Sequence, residues 1–377
     1  MQIGFDAKRA FFNNTGLGNY SRDTIRILAI FFKKNKYFLY TPKNTKNSRL
    51  QFIYEINNIL IKTPKKNLKN FFKKYWRSKR IIYDLQKDNL NIYHGLTNEL
   101  PIGIEKTKIK TVVTIHDLIF IRFPNLYNWV DRKIYYFKFL SACKRADIII
   151  AISKQTKKDI VKYLSIDEKK IKVVYQGCND VFKKTISQKT QKETLKKYNL
   201  PNNFLLYVGK IEERKNLLTI LKVLKKLKTQ KLVVIGDGNK YKKMCLKYIN
   251  NNNLHNNVII LSNIPSNEIA SIYKNAEILI YPSIFEGFGI PIIEALYSKV
   301  PVITTKKGCF KEAGGPKTKY INPNSINELK NAILEIQQSS KIKEEMKNIG
   351  FKYVQKFNDE QIAKNLIKIY SELYEKN

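Results

Sequence analysis

Histidine and cysteine are scarce in this chain. Three histidines (His94, His116 and His255) in 377 residues leave little material for a histidine-rich metal site. The four cysteines, Cys143, Cys178, Cys245 and Cys309, are far apart and form no C-x-x-C pair. That spacing excludes a zinc knuckle and fits reduced thiols in the cytoplasm. No apolar run approaches the length that spans a bilayer, and the opening MQIGFDAKRA has no signal-peptide core. The expectation is a cytoplasmic protein. G-x-S-x-G, H-E-x-x-H and G-x-x-x-x-G-K-[ST] are all missing, which removes serine-hydrolase, zincin and P-loop chemistry.

Acid is the other shortage. Asp and Glu number 31 against 70 Lys and Arg, a formal net charge of +39. Such a surplus suits nucleic acid, an anionic membrane or an anionic substrate. Lys, Asn and Ile are abundant along the whole chain, so a compositional origin explains the charge equally well.

The length allows two domains, each with its own core. Short apolar runs alternate with helical patterns: Gln2–Asp6, Tyr37–Tyr40, Ile92–His94, Thr111–Ile115, Ile148–Ala151 and Ile171–Val174 in the first half. A second series runs through Phe204–Val208, Leu232–Ile235, Val258–Leu261, Ile278–Tyr281 and Val300–Thr304. This alternation predicts an α/β protein of two tandem, Rossmann-like, doubly wound domains with ligands at the C-terminal strand ends. The expected boundaries are 1–180, a polar linker at 181–200, a second domain at 201–357, and a final amphipathic helix at 358–377.

The chain is organised around Glu286–Glu294, EGFGIPIIE. An apolar strand precedes it, a glycine turn breaks the strand, and a helix follows with Pro291 in its first turn. The amides of Phe288, Gly289 and Ile290 then converge on a point suited to a phosphate. Lys210, Arg214 and Lys215 cluster after another strand, where a diphosphate needs cations. Gly16-Leu17-Gly18 follows the first strand, but its spacing fails the dinucleotide fingerprint. His116 ends the strand run Thr111–Ile115 at a ligand-facing position.

Taken together, E-x₇-E with its internal G-F-G, the basic cluster, T-I-H-D at 114–117 and the glycine loop resemble the retaining glycosyltransferases of family 4. Weaker likenesses, among them Ile92-Tyr93-His94-Gly95, point to mannosyltransferase-type members of surface-polysaccharide synthesis. The resemblance implies a GT-B architecture with the active site in the interdomain cleft and the last helix crossing back to the first domain. It implies a nucleotide-diphosphate sugar as donor, without a separate cofactor, and a hydroxyl of a glycan or lipid-linked glycan as acceptor. Lys210 or Arg214, Lys215 and the amides of Phe288 to Ile290 would stabilise the departing diphosphate. Glu294 would hold the ribose, Glu286 and His116 would contact the transferred sugar, and Gly16 and Gly18 would approach the donor phosphate. No D-x-D pair exists to carry a metal ion, so cations and helix amides would take its place.

Two alternatives stand beside this reading. One is a nucleotide-sugar epimerase or phosphorylase on a related fold. The other is a basic nucleic-acid-binding protein, although no reader motif is present and no nucleic-acid partner is expected. A last feature is Lys65–Arg80, where Leu68, Phe71, Phe72, Tyr75 and Trp76 form one helical stripe among Lys69, Lys73, Lys74 and Arg77. That pattern suits peripheral contact with an anionic membrane at the cytoplasmic face, and equally a helix covering its own sheet.

Overall fold

A computed structural model of the protein describes residues 1–45, 48–64, 73 and 75–375. It divides into two units, Met1–Gly177 with Phe357–Asn377, and Cys178–Lys356.

The first unit carries seven strands: β1 (Gln2–Asp6), β2 (Lys36–Tyr40), β3 (Ile59–Lys62), β4 (Ile92–Gly95), β5 (Lys110–Ile115), β6 (Ile148–Ala151) and β7 (Ile171–Val173). They pair in parallel in the order β3-β2-β1-β4-β5-β6-β7. A parallel sheet with both faces covered needs nearly continuous apolar strands, and β4 and β5 are buried almost throughout. Its helices of eight or more residues include α1 (Gly16–Phe31), α2 (Trp129–Arg145) and α3 (Lys154–Leu164). Asn128 and Ser153 cap the last two by accepting from Val130 and Thr156 amides.

The second unit repeats the plan. Its strands are β8 (Leu205–Val208), β9 (Leu232–Ile235), β10 (Val258–Leu261), β11 (Ile278–Tyr281), β12 (Val302–Thr305) and β13 (Lys319–Ile321), all parallel in the order β10-β9-β8-β11-β12-β13. Its longer helices include α4 (Gln188–Lys197), α5 (Leu217–Leu224), α6 (Lys240–Asn251), α7 (Ser266–Asn275), α8 (Ile290–Tyr297), α9 (Ile326–Gln338) and α10 (Ser340–Val354). In both sheets the strand order reverses beside the first strand, between β1 and β4 and between β8 and β11. Crevices for ligands form at such switch points.

The last helix, α11 (Asp359–Tyr374), belongs to the first unit. Ile362, Ala363, Leu366, Tyr370 and Leu373 are its buried face, and Asp359 meets Arg26 of α1 at 2.7 Å.

Several local expectations need correction. Gly16 and Gly18 lie in the first turn of α1 rather than in a loop. A Cβ on Gly18 would sit 1.8 Å from the Asn13 carbonyl oxygen, so only glycine lets these backbones meet. Residues 181–200 are no spacer. Ser187 caps α4, and Lys197 and Tyr198 bind Glu268 of α7 within the second unit. The short edge strands β3 and β13 are not among the apolar runs read from the sequence. Of the stripe at 65–80, residues 65–72 and 74 lie outside the described residues. Trp76, however, is buried in the first unit's core and donates its indole N–H to Asp84 at 2.6 Å. Arg77 is held by Asp6 and Glu99 at 2.6 and 2.8 Å. Neither side chain belongs to an exposed membrane face.

Candidate functional site

At the switch point of the second sheet, the segments after β8 and β11 meet. Gly209 leaves β8 with φ +147°, and a Cβ there would come 3.2 Å from the Lys215 ammonium. The absent side chain lets Lys215 fold back along the strand end. Its Nζ donates to the Tyr281 hydroxyl at 3.0 Å and pairs with Glu286 Oε1 at 3.1 Å. Tyr281, the last residue of β11, donates its own hydroxyl proton to the same Oε1 at 2.9 Å. Arg214 binds Glu286 Oε2 at 2.8 Å, the Phe285 carbonyl, and Glu212 at 2.6 Å.

Glu286 is thus a buried carboxylate between two cations. Burial would raise its pKa, but Lys215 and Arg214 more than offset that and hold it at about 2. It stays ionised across the physiological range. A carboxylate offers about four lone-pair sites, and the protein fills three here, leaving Oε2 one acceptor position for a ligand hydroxyl.

The loop from Glu286 to α8 is fixed from beneath by β12 and the turn after it. Thr304 and Thr305 donate to the Tyr281 and Ser283 carbonyls at 2.7 and 2.6 Å. The buried Cys309 thiol donates to the Phe288 and Glu286 carbonyls at 2.8 and 3.2 Å. With its carbonyls turned inward, the loop delivers the Gly289 and Ile290 amides to the start of α8, where no intrahelical acceptor exists. Glu294, one turn further on, accepts from the Tyr273 hydroxyl at 3.0 Å. Burial raises its carboxyl to about 7, with the Tyr273 hydrogen bond pulling the other way.

The first unit holds the remaining predicted residues. His116 follows β5, and its Nε2 lies 2.9 Å from the Leu96 carbonyl, which fixes the proton on that nitrogen. Its ring meets Tyr20 edge-on at 4.6 Å. Burial lowers its pKa to about 4, so the imidazole is neutral at pH 7. Nearby, His94 bridges Tyr370 of α11 and Thr114 at 2.6 and 2.8 Å.

The family model for glycosyl transferases group 1 matches residues 187–372, and that for Glycosyltransferase Family 4 matches residues 25–181. The chain is a glycosyltransferase of this group. It is 27% identical to the O-antigen chain mannosyltransferase RfbU of Salmonella typhimurium over 70% of this chain and 69% of that protein. It is 25% identical to the O-antigen chain mannosyltransferase B of Escherichia coli, over 74% of each chain. Among solved structures, Anabaena Alr3699/HepE in complex with UDP and glucose superposes with a TM-score of 0.77 at 15% identity, covering 98% of this chain and 99% of that one. Nothing in these comparisons supports the epimerase, phosphorylase or nucleic-acid readings.

In this glycosyltransferase, the structure brings Arg214, Lys215, Glu286 and the start of α8 into one cluster within the second unit. Lys210 stays at its edge, two-thirds exposed, with its ammonium 3.4 Å from Glu212. Arg214, read as a stand-in for Lys210 on a diphosphate, holds Glu286, the Phe285 carbonyl and Glu212 and so braces the loop. Sequence reading missed Tyr281, Tyr273 and Cys309. Tyr281 left a usable signal, an aromatic hydroxyl closing the strand before the motif. Tyr273 and Cys309 left none, because tertiary packing alone brings them to the site.

Proposed function

We propose that the enzyme transfers a hexose, mannose in the first instance, from a nucleotide-diphosphate sugar to a hydroxyl of a glycan or lipid-linked glycan. The anomeric configuration is retained, and no metal ion takes part. The observation that carries this reading is the Lys215–Glu286 pair at the N-terminus of α8. The cation and the amides of Phe288 to Ile290 stand where negative charge grows as a diphosphate leaves. Glu286 orients Lys215 through the ion pair and keeps one acceptor position for a hydroxyl of the donor sugar. Glu294, whose Oε2 holds Tyr273, accepts from the ribose hydroxyls, and His116 contacts the transferred sugar as a neutral imidazole. No carboxylate is placed as a covalent nucleophile in this scheme. A phosphate oxygen of the departing diphosphate takes the acceptor's proton on the same face of the sugar. The mannosyltransferase relatives support the sugar, and the UDP complex of the Anabaena neighbour supports a nucleoside diphosphate as leaving group.

A peripheral membrane contact at the cytoplasmic face belongs to this proposal, because lipid-linked acceptors lie there. No helix among the described residues is long and apolar enough to cross a membrane. In the stretch 65–80, the exposed described residues include Tyr75, Lys79 and Arg80.

The deciding experiment is turnover with a panel of GDP- and UDP-sugars in the presence of EDTA, followed by NMR of the product's anomeric proton. An axial donor should give an axial product at an unchanged rate with chelator. An equatorial product overturns retention, and loss of turnover in EDTA overturns metal independence.

A further inference from the structure

Polar side chains cross the core of the first unit in one hydrogen-bonded line. Tyr370 comes from α11, His94 from β4, Thr114 from β5 and Tyr20 from α1, and all four are buried. The Tyr370 hydroxyl lies 2.6 Å from His94 Nδ1, and His94 Nε2 lies 2.8 Å from the Thr114 hydroxyl. That hydroxyl lies 3.0 Å from the one on Tyr20. The proton positions follow. The Tyr370 hydroxyl has no second partner among the described residues, so as an acceptor from His94 it would bury its own proton unpaired. It therefore donates, His94 carries its proton on Nε2, and Thr114 accepts from it. Burying such groups costs free energy unless each is paired, and apolar residues would fill the same space without that demand. A paired line, by contrast, permits one arrangement of its members.

The line ends against His116. The Tyr20 ring meets the imidazole almost perpendicularly, with centroids 4.6 Å apart. The His116 amide donates to Asn98 Oδ1 at 3.0 Å, its carbonyl accepts from Thr156 at 3.3 Å, and its Nε2–H donates to the Leu96 carbonyl at 2.9 Å. Asn98, at φ +63°, in turn donates its amide to the Thr114 carbonyl at 2.9 Å. Thr114 thus supports the imidazole twice, by its hydroxyl through Tyr20 and by its carbonyl through Asn98. The ring's Nδ1 is left as an acceptor with no partner among the described residues.

We infer that Thr114, Tyr20, His94 and Tyr370 are positioning residues for the transfer reaction. Buried as they are, they act through His116, holding its imidazole in one orientation with Nδ1 open. The last helix, α11, closes the line through the Tyr370 hydroxyl. The inference rests on the proposed function only for the contact between His116 and the transferred sugar.

The chain has three histidines, His94, His116 and His255, so its imidazole C–H proton signals form a short, assignable set. Spectra of the full-length protein, without donor or acceptor, are compared for wild type, Thr114→Val, Thr114→Ser and Tyr370→Phe. Valine keeps the shape of Thr114 and removes its hydroxyl, whereas serine keeps the hydroxyl. The His116 signals sense the Tyr20 ring current, so they should shift in Thr114→Val and Tyr370→Phe and stay near wild type in Thr114→Ser. Turnover is followed as GDP release from GDP-mannose with methyl α-mannoside as acceptor. In Thr114→Val, kcat should fall roughly tenfold while KM for GDP-mannose changes much less, and Thr114→Ser should restore kcat. His116 signals unmoved in both Thr114→Val and Tyr370→Phe would overturn the inference. So would equal loss of kcat in Thr114→Val and Thr114→Ser, or a lowered melting temperature with kcat and signals unchanged. His116→Ala separates this test from the proposed function. Unchanged kcat in that variant would remove the sugar contact of His116, while the imidazole signals report its positioning without any substrate.

Discussion

Glu286 and Glu294 share a helix start and have opposite electrostatics. Lys215 and Arg214 hold Glu286 ionised, whereas burial pushes the Glu294 carboxyl to about 7. The consequences for stability differ in sign. A carboxyl depressed to about 2 from an ordinary 4.5 contributes stability that is fully present above 4.5 and lost as pH falls toward 2. Glu286→Gln should therefore destabilise the second unit by about 3 kcal/mol at pH 7, since it strips buried Arg214 and Lys215 of their partner, and by little near pH 2. For Glu294 the folded protein binds the extra proton, so stability falls as pH rises from 4.5 through about 7. Glu294→Gln should stabilise the free enzyme at pH 8 by on the order of 1–3 kcal/mol, seen as a higher melting temperature, and leave its stability unchanged at pH 4. Thermal denaturation of both variants across pH 2 to 8 checks the pair, and a pH-independent difference for Glu294→Gln would sink that assignment. Lys215→Ala is the catalytic test: kcat/KM should fall by about a hundredfold or more while nucleoside-diphosphate affinity changes much less.

One scale up, the loop between β11 and α8 works because neighbouring elements consume its carbonyls. Thr304, Thr305 and Cys309 turn them inward, and the Gly289 and Ile290 amides open α8. Cys309 is a positioning residue in this scheme and touches no substrate. Cys309→Ala should raise KM for the donor several-fold with a smaller change in kcat, and Cys309→Ser should restore it, because a hydroxyl can donate to the same carbonyls. Equal loss in both variants at normal melting temperature would mean that sulfur volume, rather than donation, holds the loop. The motif itself was readable in the chain, since strand, glycine turn and proline-led helix are written in consecutive residues. Its clamp was not, because Cys309 and Thr305 lie some twenty residues away on the next strand and turn.

Across the whole molecule, chain order and folding unit disagree at one place. Residues 357–377 follow the second unit in sequence but pack in the first, where Tyr370 reaches His94 and Asp359 reaches Arg26. A chain ending at Lys356 should therefore lose stability in its first unit alone. Hydrogen exchange should show lost protection in β1, β4 and α1 with β8 to β12 unchanged, and uniform loss through both sheets would contradict this division. Two cores also make a single unfolding free energy ill defined, so calorimetry should resolve two transitions, only one of which the truncation moves.

The sequence alone determined the alternation of apolar runs and helical patterns, and hence two parallel sheets. It also determined the local strand–turn–helix units at Gly209–Lys215 and Glu286–Glu294, because each is set by neighbouring residues. Backbone propensity and apolar period act over a few residues, so they can be read in order along the chain. Tertiary structure decided that Arg214 braces a loop and that Trp76 is core. Those outcomes depend on which partner arrives from a distant strand or helix. Nothing local to Arg214 distinguishes a guanidinium aimed at Glu286 from one aimed at a ligand until the sheet has brought β8 beside β11.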